Sequence, residues 1–192
     1  FRNMSGLNAH ELAHQWFGDL VSCKDWGHIW LNESFATYFQ MAYFEHSQGK
    51  AQYDREIDGA TSGYVAESRR YRRPLATNLY PNPDSMFDSH AYPKGGVILH
   101  MLRKQLGDAN FYAGINRYLT THRHQPVESS QLCRAIWASG NYGFLASLVT
   151  AWPKTTFVVG GRLDSPTGAV DPGRTDERHR SGGALCVLAI FD

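Results

Sequence analysis

Histidines 10 and 14 enclose Glu11, Leu12 and Ala13, and this five-residue stretch constrains the chain more than any other. On a helix, a spacing of four brings the second side chain to within about 40° of the first, so both imidazoles leave one face. Two neutral imidazoles side by side are the start of a Zn²⁺ site. Glu11 lies about 100° round from His10, too far to share that metal comfortably and well placed to hold a water beside it.

A zinc site that does chemistry takes three protein ligands and leaves one position open, and two histidines with a glutamate form a standard set. Glu33 offers the third ligand nineteen positions after His14, in Trp30-Leu31-Asn32-Glu33-Ser34-Phe35. It opens a second strongly helical run, and the loop 18–28 is long enough to bring that run back across the first.

The pattern up to Gly140 is almost wholly helical. Ser5 is a candidate cap for a first helix running to about Phe17 and stopped by Gly18, apolar nearly all round and therefore buried. Residues 19–29 read as a connector. Further helices are predicted over 31–48 with Gly49 as its stop, 50–70, 97–106 with Gly107 as its stop, 109–122 and 128–138. The segment 72–88 is punctuated by Pro74, Pro81 and Pro83 and reads as irregular.

A formal net charge of +1, with 42% hydrophobic and 19% charged residues, argues for a globular chain with no strongly charged partner, neither nucleic acid nor a membrane surface. No apolar run approaches a membrane span. Arg69-Arg70-Tyr71-Arg72-Arg73 reads as a solvated helix end. Cys23, Cys133 and Cys186 give no disulfide framework and no metal pair, and the first two read as small core fillers.

His10 to His14, then eighteen residues, then Glu33, flanked by Gln15-Trp16-Phe17-Gly18-Asp19 and Trp30-Leu31-Asn32, resembles the aminopeptidase N-like zinc metallopeptidases, the gluzincins. The resemblance runs from about Ala9 to about Gly140. It implies a mainly α fold, the helical lobe of a thermolysin-like catalytic domain over residues 1–140. Residues 141–192 are then a divergent, irregular tail, read either as a disordered or genuinely different terminus or as a shifted reading frame. The chain opens at Phe1 and runs straight into the motif, so it reads as a fragment of a longer catalytic domain.

The same resemblance implies one Zn²⁺ held by His10, His14 and Glu33, with Glu11 as the general base. Tyr92, in Tyr92-Pro93-Lys94-Gly95, matches a tyrosine that in the family donates its hydroxyl to the oxyanion of the tetrahedral intermediate. The implied activity is hydrolysis of peptide bonds at peptide N-termini. An epoxide-hydrolase branch shares the zinc signature, and a carboxylate-binding arginine further along would separate the two. A third reading is a zinc-binding but non-catalytic interaction fragment, against which Glu11 and Tyr92 both argue. Two departures stand out: Gln40 occupies a position where the family often carries Glu, and the family's upstream amine-recognition motif is absent. Asp19, Asp25 and Asp88 are candidate partners for the ligand histidines, whereas His28, His46, His90 and His100 read as surface or structural.

Overall fold

Helix α2 (Trp30–Gln48) is the hub, because it is apolar on most of its circumference: Leu31, Phe35, Ala36, Tyr38, Met41 and Phe44 are all buried along it. The computed structural model describes residues 2–139; the expectations for the tail, including Cys186, lie outside these residues. Helices α1 (Arg2–Ala13), α3 (Lys50–Ser68) and α4 (Gly95–Leu106) all pack on α2. Helices α5 (Asp108–Thr121) and α6 (Ser129–Ala138) pack on each other, and α5 meets α4. Among the described residues the fold is therefore mainly α, and no helix is long and apolar enough to cross a membrane.

The predicted stops hold where a left-handed residue is required. Gly49 sits at φ +85° and Gly107 at φ +75°, each ending one helix and starting the next without a loop. Helix α6 opens with a reciprocal capping box, Glu128 bonding the backbone of Gln131 and Gln131 bonding that of Glu128. The core runs through aromatic contacts such as Phe17 stacked on Phe35 at 4.3 Å, and Cys133 is buried in it as a small filler.

Three expectations are corrected. Helix α1 already includes Arg2, ahead of Ser5, and ends at Ala13, four residues before Phe17. The chain leaves the helix there because Gly18, at φ +144°, folds it into a tight turn in which the Gly18 N–H donates to Val21 O at 2.8 Å. Nor is α1 buried all round: Met4, Leu7 and Leu12 are exposed, since only one side of the helix meets α2. The arginine run is not wholly solvated either, because Arg73 is buried and paired with Asp88.

The connector also contains an element with no sequence signal. Ser22–Cys23 (β1) pairs in parallel with Pro126–Val127 (β2), which ties the start of the domain to its far end. The join is reinforced by Lys24 N–H to Val127 O at 2.9 Å, a Lys24–Glu128 ion pair, and Trp30 Nε1 donating to Ser129 Oγ at 2.9 Å.

Candidate metal centre

His10 lies in the last turn of α1, His14 is the first residue past it, and Glu33 sits in the first turn of α2, so the α1–α2 packing brings the three together. Nε2 of His10 and Nε2 of His14 each lie 3.4 Å from Oε2 of Glu33. A tetrahedral shell with bonds of about 2.1 Å has its donors about 3.4 Å apart, so spacing and donor chemistry both fit Zn²⁺.

The two histidines meet edge to face, their centroids 4.9 Å apart. Nδ1 of His14 is 2.9 Å from the Phe17 carbonyl. A carbonyl can only accept, so the proton belongs on Nδ1 and the Nε2 lone pair is left for a metal. This backbone carbonyl does the work that sequence reasoning offered to Asp19, Asp25 or Asp88. Asp19 instead accepts from Gln15, and Asp88 is engaged elsewhere.

A metal here would displace the Nε2 protons through which the two histidines otherwise meet Glu33. Burial would push the Glu33 carboxyl up, but hydrogen bonds from His10 and His14 outweigh it and bring the group down to about 2. The hydrogen bond to Glu33 raises His14 to about 9 against the opposing effect of burial.

Above the three donors opens a cleft of about 410 Å³ that also takes in Glu11 and Tyr92, with Leu7, Thr37 and Gln40 completing its wall. Glu11 is exposed at its edge. The Tyr92 ring stacks over His10 with centroids 6.1 Å apart. Burial, followed by the nearby Glu33 charge, pushes the Tyr92 hydroxyl up to about 12, so it remains a proton donor at neutral pH. All five residues singled out in the sequence thus share one cleft. Leu7 and Thr37 were not foreseen, and lie one helical turn from His10 and Glu33 respectively.

Tyr92 is carried on a π turn, His90–Lys94, that leads directly into α4. Beneath the turn is a buried polar cluster that sequence reasoning missed. Asp88 Oδ1 accepts from the N–H groups of His90 (2.9 Å) and Ala91 (3.1 Å), capping the turn. Arg73 donates to both Asp88 oxygens and to the carbonyls of Pro74, Leu75 and Met86, so all five of its N–H groups are used. Lys94, fully buried, donates to the Arg73 carbonyl at 2.7 Å.

Glu67, Asp88 and His90 also bring three potential ligand atoms together. Both Asp88 oxygens are already committed to Arg73, however, whose guanidinium supplies the positive charge there. The second cluster is thus a structural ion pair.

The peptidase family M1 domain model matches residues 2–152, and the chain belongs to that family. Tricorn protease-interacting factor F2 of Thermoplasma acidophilum is 40% identical over 135 residues, which cover 67% of this chain and 17% of that protein. Probable aminopeptidase 1 of Sulfurisphaera tokodaii is 35% identical over 157 residues, 78% of this chain and 20% of that one. Among solved structures, an M1 zinc metallopeptidase variant from Deinococcus radiodurans bound to a Tyr-Ser-Ala substrate aligns with a TM-score of 0.64 and 32% identity. That alignment covers 78% of this chain and 32% of the other. The chain spans only 17–20% of the length of these two curated relatives.

Proposed function

We propose that this chain holds a catalytic zinc through His10, His14 and Glu33, and that the protein it represents removes residues from the N-termini of peptides. The observation that carries the reading is the convergence of two Nε2 atoms on one Glu33 oxygen, each at 3.4 Å. The aminopeptidase names of relatives and the zinc metallopeptidase neighbours support it.

Zinc, when bound, supplies a Lewis acid and lowers the pKa of a water toward neutrality. The protein's own groups do the rest. Glu11, at the edge of the cleft, takes a proton on its carboxylate and hands it to the departing amine. Tyr92 keeps its hydroxyl proton and donates it as a hydrogen bond to the scissile carbonyl oxygen as negative charge develops there, a contribution of about 3–4 kcal/mol. Phe17 holds the His14 tautomer through its carbonyl, and Glu33 supplies the negative charge that balances the cation. Glu11 and Tyr92 in one cleft favour turnover over silent metal binding.

Elemental analysis of the purified protein and its His14→Ala variant tests the ligand set, alongside hydrolysis of a fluorogenic amino-acid amide by the full-length protein. The variant should lose zinc and turnover together. Equal zinc in the two proteins would sink the assignment.

A further inference from the structure

Tyr92 and Glu33 belong to different elements, and something must set the distance between them. Ser34, the residue after Glu33, is fully buried and donates through Oγ to the Ala91 carbonyl at 2.6 Å. One hydrogen bond thus links the neighbour of the ligand glutamate to the neighbour of the tyrosine. The approach is close enough that a Cβ placed on Gly95 would lie 1.7 Å from Ser34 Oγ and 2.3 Å from Ser34 Cβ. Only glycine at 95 lets the π turn and α2 touch in this way. On its other side the turn is held by Asp88 and Lys94, and the Ser34 bond ties it to α2.

We propose that Ser34 is a positioning residue: its hydroxyl locks the π turn to α2 and so sets where the Tyr92 hydroxyl stands relative to the metal ligands. The inference rests on the catalytic reading of Tyr92 above but is separable from it, because the position of Tyr92 can be read without turnover. A donor misplaced by about 1 Å can cost on the order of 10²-fold in rate, so a single internal bond suffices to matter.

Removing the hydroxyl by Ser34→Ala also leaves a small void, so a volume-exchanged variant is needed beside it. Ser34→Gly with Gly95→Ala removes the bond but restores the packing, because the next atom a Cβ at 95 would meet is Ser34 Cα at 3.6 Å. In the full-length protein both variants should keep zinc and KM while kcat falls about tenfold to a hundredfold. Adding either change to Tyr92→Phe should cost little more than Tyr92→Phe alone, since both act through one function. With 3-fluorotyrosine placed at 92 alone, the ¹⁹F line should shift or broaden in both variants.

An unmoved ¹⁹F line in both variants overturns the inference, as do losses for Ser34→Ala and Tyr92→Phe that simply multiply. If the line moves while Tyr92→Phe leaves turnover intact, Ser34 positions the tyrosine as proposed and the catalytic role given to Tyr92 falls instead.

Discussion

Arg73 grips Asp88 through both carboxylate oxygens, Nε to Oδ2 at 2.9 Å and Nη2 to Oδ1 at 2.7 Å, with little of either side chain exposed. Breaking such a pair from one side leaves an uncompensated buried charge. Arg73→Met or Asp88→Ala alone should therefore lower stability by about 3–5 kcal/mol, while Arg73→Met with Asp88→Asn should recover part of that loss. Urea midpoints measure it, and single variants within 1 kcal/mol of the parent, about the scale of an exposed pair, would show the pair to be inconsequential.

Lys94 gives a pH signature. Burial holds its amine down at about 7, against 10.5 for an unhindered lysine. Between those values the unfolded chain binds a proton that the folded chain does not, so stability should rise with pH across that window. Below about pH 7 both states carry the proton and the penalty stays at its full size. Lys94→Met should flatten the slope between pH 7.5 and 9.5, and an identical slope in the variant would assign it to other groups.

Glu11 separates metal binding from turnover. It contributes no ligand atom to the three that converge, so Glu11→Gln should keep its zinc and lose most activity in the full-length protein. Retained activity would move the base elsewhere.

For Tyr92, removal of one oxyanion donor by Tyr92→Phe should lower kcat by roughly 10²–10³-fold with zinc content unchanged. Near-normal turnover in a folded variant would leave Tyr92 a packing role against His10.

Residues 141–192 are proposed to contribute little to the helical domain, although the family match continues to residue 152. A chain ending at 140 should keep the zinc content and helical circular dichroism of the whole. If both survive truncation at 152 but not at 140, the boundary belongs at the later position.

The convergence of these side chains was legible because it follows from residue identities at fixed helical spacing: His10 and His14 on one face, Glu33 at a helix start. What supports it was not. The carbonyl of Phe17 orients His14, and a backbone atom carries no sequence signature. Arg73 looked like one of four surface arginines, and only the chain reversal that returns Asp88 fifteen positions later buries it. Asp88 did carry a signal, as an acidic residue just ahead of the turn it caps. The ends of α1 were misjudged because Ser5 resembles a cap and Trp16 and Phe17 continue the apolar pattern, whereas Gly18 dictates a turn that pulls the chain out of the helix earlier. A two-residue ladder is too short for any periodicity to reveal.

That ladder has a consequence for the order of assembly. β1 and β2, with the Lys24–Glu128 pair 104 positions apart, close nearly the whole domain into one loop at a narrow neck. Closing a loop of that length costs on the order of 4 kcal/mol in chain entropy, and two paired residues return too little to form the neck early. The helices between must condense first, with the neck sealing afterwards. His10, His14 and Glu33, by contrast, lie within 24 residues of one another on α1, just past it and on α2, and the direct packing of α1 on α2 brings them together without the neck. The three donors should therefore converge with the helices, before the neck seals.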